Sequence, residues 1–105
     1  MAKVGVWLSY DLGLRGDYDG LYYWLDRHGA KECGEGVAFF SYDFRSDPFT
    51  ELRRDLRKAV RFDRRDRVYA VCAPGNRVRG RFLIGGRKQA AWHGLAELVR
   101  EEVDA

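Results

Sequence analysis

Large apolar residues recur at every second position from 4 to 10, which is the pattern of a strand that places them on one face. Asp11 follows where this strand must end, because Leu12-Gly13-Leu14-Arg15-Gly16 contains the glycines of a flexible turn. The pattern therefore places a carboxylate at the end of the first predicted strand. The residues expected to share the buried face are Val4, Val6, Leu8 and Tyr10.

Two segments repeat apolar residues at the spacing of a helix. Asp17 is placed to cap the first helix, which Gly29 closes. Ser46-Asp47-Pro48 begins the second helix, because proline is favoured at the first helical position. The apolar positions are Tyr18, Leu21, Tyr22 and Leu25 in the first helix, and Phe49, Leu52, Leu56 and either Ala59 or Val60 in the second.

Short apolar runs at 37–42, 68–73 and 81–84 predict three further strands, and residues 30–36 are interpreted as a connection or a frayed strand start. The dense aromatic run at 37–42 indicates burial on both faces, or one face against helices and the other against a partner. A final amphipathic helix is predicted from Ala90, Ala91, Leu95, Leu98 and Val99.

The predicted order is thus β-α-β-α-β-β-α within one domain of 105 residues. This order suits an α+β, ferredoxin-like βαββαβ-type sandwich, with a mainly antiparallel sheet and its helices on one face. No apolar run approaches the ~20 residues needed to cross a bilayer, and no secretory-type stretch begins the chain. We therefore expect a cytoplasmic protein without membrane contact, in which Cys33 and Cys72 are reduced and partly buried.

Positive charge is concentrated in the second half of the chain. Residues 1–52 hold 5 Lys/Arg against 9 Asp/Glu, whereas residues 53–105 hold 14 against 7. Arginine binds phosphate in a bidentate manner, so this half favours RNA or DNA as a partner. Arginine enrichment also accompanies heat stability and high-GC genomes. Arg53, Arg57 and Arg61 recur at four-residue spacing and are predicted to form a basic stripe along the second helix. The candidate nucleic-acid-binding residues are Arg53, Arg54, Arg57, Lys58, Arg61, Arg77, Arg79 and Arg81.

Two alternatives stay open for these basic residues: a solvated helix face, or ion pairs with Asp55, Asp63 and Asp66.

Two interpretations apply to Asp11, which either anchors a divalent metal or phosphate or is a solvated strand end. If it is catalytic, Arg15 would position the phosphate. One carboxylate is a poor magnesium site, so a second copy of Asp11 from a two-fold dimer would be needed.

Several short motifs resemble the ferredoxin-like superfamily of the CRISPR-associated spacer-acquisition small subunit, the VapD-like toxins and the SinR-like phage proteins. They are Ser9-Tyr10-Asp11, Gly36-Val37-Ala38-Phe39-Phe40 and Asp66-Arg67-Val68-Tyr69. The resemblance covers residues 3–73, and residues 74–105 form a basic hairpin and C-terminal helix outside it. It implies a homodimer that binds nucleic acid, with paired Asp11 holding Mg²⁺ or another divalent cation for phosphodiester cleavage. The competing hypotheses are a non-catalytic protein-interaction module and a small-ligand regulatory domain.

Overall fold

Residues 1–98, which the computed structural model describes, contain five strands, two long α-helices and two short helical segments, at Pro74–Asn76 and at 95–98. The sheet is antiparallel throughout, with the spatial order β2-β3-β1-β4-β5 defined by the bounds below. The first six elements follow the ferredoxin-like connectivity, and a fifth strand extends the sheet, so the predicted α+β fold is confirmed. The elements are β1 (Ala2–Asp11), α1 (Tyr18–Arg27), β2 (Lys31–Gly34), β3 (Val37–Phe44), α2 (Pro48–Ala59), β4 (Arg67–Cys72) and β5 (Arg79–Ile84).

Both helices pack on one face of the sheet, because alternate strand residues point toward them. On β1 the residues Val4, Val6 and Leu8 are buried, as the alternation predicted. Trp24 of α1 packs edge-on against Phe40 of β3, with ring centroids 5.2 Å apart. The predicted apolar positions Phe49, Leu52 and Leu56 of α2 are all buried. In α1 only Leu21 and Leu25 of the predicted stripe are buried; Trp24, which was not predicted, joins them, whereas Tyr18 is half-buried and Tyr22 is 50% exposed.

An aspartate carboxylate caps the N-terminus of each helix, as predicted. Asp17 accepts hydrogen bonds from the backbone N–H of Gly20 and of Arg61, both at 3.0 Å, and these bonds lower its pKa. Asp47 caps α2 by accepting from Thr50 N–H at 3.1 Å. Glu51 accepts from three backbone N–H groups in the loop before α2, which lowers its pKa and fixes the approach of the chain to that helix.

Three predictions about the elements need correction. Residues 31–34, predicted as a connection or a frayed strand start, form an edge strand, β2, whose pairing is irregular between Glu32 and Gly34; its side chains are largely exposed, so it lacks an apolar pattern. Arg61 lies beyond the end of α2, because the chain becomes extended at Val60. Residues 95–98 are helical, but the predicted apolar positions Leu95 and Leu98 are exposed; Val99 lies outside the described residues.

Other side chains depart from expectation in their exposure. Cys72 is buried but Cys33 is exposed, and both are free thiols. Trp92, predicted to pack on the sheet or at a dimer contact, is 75% exposed in the single chain and so does not pack on the sheet. None of the helices in the described part of the chain has the length and apolar character needed to span a membrane.

Candidate nucleic-acid interface

Asp11 ends β1 directly opposite Arg67, the first residue of β4. Arg67 Nη2 donates to Asp11 Oδ2 at 3.0 Å, so the two side chains form an ion pair across the strands. The Asp11 side chain is still 63% exposed, because the pair lies at the end of the sheet. The positive charge of Arg67 therefore neutralises the candidate catalytic carboxylate of Asp11 within one chain.

Two clefts border Asp11. One, of about 320 Å³, lies on the sheet face away from the helices, between Asp11, Arg67 and Tyr69. The other, of about 530 Å³, lies toward α1 and includes Tyr10 and Glu35. Burial, helped by the neighbouring Tyr22, raises the pKa of Tyr10, so this phenol is neutral at physiological pH.

Arg15 lines neither of these clefts. It borders a third cleft with Asp17 and Arg61, at the start of α1. The turn that joins Asp11 to Arg15 is fixed to the segment just before β4, because Gly13 N–H donates a hydrogen bond to the Asp66 carboxylate at 2.9 Å. Within one chain the fold thus does not bring Arg15 into a shared site with Asp11.

The residues around Asp11 do not fit a magnesium site in one chain. Mg²⁺ is held by hard oxygen ligands in near-octahedral geometry, and Asp11 and Glu35 are the acidic side chains bordering these clefts. In addition, Asp11 Oδ2 already accepts a hydrogen bond from Arg67, so this oxygen is engaged by a cationic side chain. Across residues 1–98 no three His, Cys, Asp or Glu side chains come together as metal ligands.

The basic residues of α2 divide between two sides of the helix. Arg53 meets Arg81 of β5 in a shallow groove, where the Arg81 guanidinium lies 5.3 Å from the centre of the Phe49 ring. Lys58 instead lines a groove between α1 and α2. Arg57 follows Arg53 by four residues and so shares its stripe. We call Arg53, Arg57, Arg79 and Arg81 the α2–β5 basic face.

β5 contributes Arg79 and Arg81 to this face, because alternate residues of a strand point to the same side of the sheet. Arg79 and Arg81 are opposite Cys72 and Ala70 of β4, whose side chains point toward the helices. Arg77 precedes β5 and is exposed, as are Arg54 and Arg61. The structure therefore brings four of the eight candidate residues to one face, whereas Lys58 and Arg61 border other grooves.

The acidic residues expected to neutralise these arginines have other partners. Asp55 accepts a short hydrogen bond from the Tyr42 hydroxyl, and burial together with this bond raises the pKa of Tyr42. Asp63 accepts from Arg65 N–H at 2.9 Å. Asp66 is buried and accepts from the N–H of Gly13 and of Asp63. In the described ranges, none of the eight candidate basic side chains forms an ion pair within 4.0 Å.

Comparison with protein-family models, curated proteins and solved structures finds no match to this chain. The resemblance to the CRISPR-associated and VapD-like superfamily accordingly stays a prediction drawn from short motifs.

Two sets of residues at this end of the molecule escaped the sequence analysis. One is Arg67, whose pairing with Asp11 depends on the register between β1 and β4. The other is a group of aromatic side chains on the sheet face opposite the helices, including Trp7 and Phe39. A signal existed for the second set: once Val6 and Leu8 are assigned to the core, strand alternation turns Trp7 outward.

Proposed function

We propose that this protein is a sequence-neutral nucleic-acid-binding domain that holds the phosphate backbone through its α2–β5 basic face. The observation that carries the proposal is that none of these arginines forms an ion pair within 4.0 Å among residues 1–98. A longer-range attraction exists at Arg81, because the hydrogen bond from the Thr50 side chain and, to a lesser extent, the charge of Arg81 lower the pKa of Asp47. An unpaired guanidinium keeps its donors available, and its planar fork matches the oxygens of a phosphate. The overall charge of +3 adds a favourable field for a polyanion.

The chemistry of this face favours contacts to the phosphate backbone over the reading of bases. Backbone contacts position a protein on a duplex and carry no sequence information. Arg53 and Arg57 stand on an exposed helix, while Arg79 and Arg81 come from an edge strand beside it. Charges on two adjacent elements suit a backbone that runs across both.

The test is equilibrium binding of the whole chain to fluorescent duplexes of equal length and unrelated sequence. We expect affinities that agree within about threefold, because phosphate contacts are the same for every sequence. A strong preference for one sequence would contradict the proposal, and so would a failure to bind any duplex at low salt.

Metal-dependent phosphodiester cleavage by a homodimer is a second proposal, favoured by the exposure of the Asp11 carboxylate at its two clefts. It requires a second Asp11 from a partner, because one chain does not supply the ligands. The displacement of Arg67 from Asp11 would cost little, since exposed ion pairs contribute about 0–1 kcal/mol. Nucleic-acid binding without cleavage requires neither a second copy of Asp11 nor the displacement of Arg67.

Asp11→Asn separates these two proposals. We expect the variant to bind duplex at least as tightly as the wild type, because a negative charge is lost and Arg67 is released. Fluorescence anisotropy at low salt measures this, with Glu35→Gln as a matched control that also neutralises an exposed carboxylate. If the wild type cleaves in the presence of Mg²⁺ and Asp11→Asn binds but does not cleave, cleavage is the function and binding serves it.

A further inference from the structure

The sheet face opposite the helices is exposed and aromatic. Trp7 of β1 is 49% exposed and contacts Phe39 of β3, with ring centroids 4.7 Å apart. Tyr69 of β4 contacts Phe82 of β5 at 4.8 Å. We call these four residues, which occupy four adjacent strands, the aromatic platform. Both α1 and α2 pack on the opposite side of the sheet, so neither covers the platform, in which Phe39, Tyr69 and Phe82 are half-buried.

Two rings of the platform lie close against the backbone of the neighbouring strand. The ring of Phe39 crosses over Gly5, where a Cβ atom would come within 2.9 Å of it. The ring of Tyr69 crosses over Gly80 in the same way, and a Cβ there would overlap it. Any side chain at either glycine would push the ring away from the sheet. The glycines therefore allow these rings to lie along the sheet surface.

Cations surround the platform. Lys31 is directly opposite Phe39 on β2, and Arg67 and Arg87 line the 320 Å³ cleft beside Tyr69 and Phe82. Lys3 is on the same face, 4.0 Å from Asp43. Lys3 and Arg67 pair with Asp43 and Asp11, whereas Lys31 and Arg87 form no ion pair within 4.0 Å among residues 1–98, so the platform carries an excess of positive charge. Flat apolar surfaces and nearby positive charge are the two features that bind unpaired bases and their phosphates.

We infer that the aromatic platform binds single-stranded nucleic acid, with bases stacked on its rings and phosphates near Arg67 and Arg87. This inference rests on the proposed nucleic-acid binding and specifies a second surface and a substrate class. A duplex does not present base faces to a protein surface, whereas an unpaired strand does. The α2–β5 basic face lies on the helix side of the sheet, so the two surfaces are separate.

Polar residues within the platform favour this occupant over a second copy of the chain. Ser9 is exposed between the two aromatic pairs, opposite Val37 on one side and Tyr69 on the other. The ion pairs Lys3–Asp43 and Asp11–Arg67 lie on the same face at its two ends. Burial of these groups in a dry sheet-to-sheet contact would cost free energy, whereas a hydrated nucleic acid leaves them in water.

Trp7→Leu tests the inference, because leucine keeps an apolar side chain and removes the flat ring. We expect its affinity for a short oligo-thymidine to fall roughly tenfold or more, since one stacked base contributes on that scale. Affinity for a blunt duplex should not change. Trp92→Leu is the matched control, an exposed tryptophan off the sheet, and should change neither affinity. Trp7→Phe should restore most of the single-strand affinity.

Tryptophan fluorescence gives a second measurement. Stacking on Trp7 should quench emission when oligo-thymidine is added to Trp92→Phe, and the quenching should disappear when Trp7→Leu is added to that variant. An unchanged oligo-thymidine affinity in Trp7→Leu overturns the inference, as does an equal loss for duplex and single strand. A dimer that Trp7→Leu dissociates would also overturn it, because a second copy would then occupy the platform. If the platform is not used, duplex binding through the α2–β5 basic face is unaffected, so the two proposals fail separately.

Discussion

Replacement of Asp66 by alanine should lower the free energy of unfolding by about 3–5 kcal/mol, a large share of the stability of a domain this size. Asp66 is 1% exposed, and its two carboxylate oxygens accept from Gly13 N–H at 2.9 Å and Asp63 N–H at 2.8 Å. Alanine would leave both donors without an acceptor. It would also release the β1–α1 turn from the start of β4.

Urea denaturation followed by circular dichroism measures this change. Asp63→Ala is the control, because Asp63 is an exposed neighbour whose carboxylate accepts from Arg65 N–H. We expect that control to cost at most about 1 kcal/mol. Asp66→Asn should fall between the two, since its amide oxygen still accepts one of the bonds. Equal unfolding midpoints for Asp66→Ala and Asp63→Ala would show that Asp66 does not join these segments.

The combined change Arg53→Ala and Arg57→Ala should weaken duplex binding about 10- to 100-fold at low salt. Each guanidinium can donate a charge-assisted pair of hydrogen bonds to a phosphate, and about 1.4 kcal/mol of lost binding energy is a tenfold loss of affinity. Both side chains are exposed, and Leu52 and Leu56 beside them carry the buried contacts of α2. The substitutions should therefore leave the fold intact.

The control for this experiment is Arg64→Ala with Arg65→Ala. These two arginines are exposed in the turn between α2 and β4, away from the α2–β5 basic face, and their loss changes the net charge equally. We expect the control pair to weaken binding by no more than about threefold, through the general field of the protein. Equal losses for the two pairs would show that net charge, and no particular face, binds the nucleic acid.

The sequence predicted the elements whose local pattern is strong. The alternation at Val4, Val6 and Leu8 and the capped apolar stripe of α2 are confirmed, because burial on one face follows from spacing alone. β2 was predicted only as one of two alternatives, a connection or a frayed strand start, since an edge strand with exposed Lys31 and Glu32 has no apolar face to indicate it. Its pairing with β3 shifts register between Glu32 and Gly34, which further weakens the pattern.

The candidate site was predicted less completely, because contacts between distant segments decide it. The position of Asp11 followed from the sequence, but its partner Arg67 is 56 residues away. The same limit applies to Asp66, which the sequence indicated only as a possible ion-pair partner of the basic residues and as part of a short motif, and which accepts a hydrogen bond from Gly13, 53 residues away. The stripe of Arg53 and Arg57 was predicted from helical spacing, whereas the meeting of Arg53 with Arg81 depends on the packing of α2 beside β5.

The salt dependence of duplex binding tests the central claim most directly. Each phosphate contact contributes a slope of about −0.9 to the logarithm of the binding constant against the logarithm of salt concentration. If Arg53 and Arg57 each hold a phosphate, the slope for the Arg53→Ala, Arg57→Ala variant should be shallower than that of the wild type by about 2. Parallel lines for the two proteins would contradict the account, because the α2–β5 basic face would then make no phosphate contact through α2.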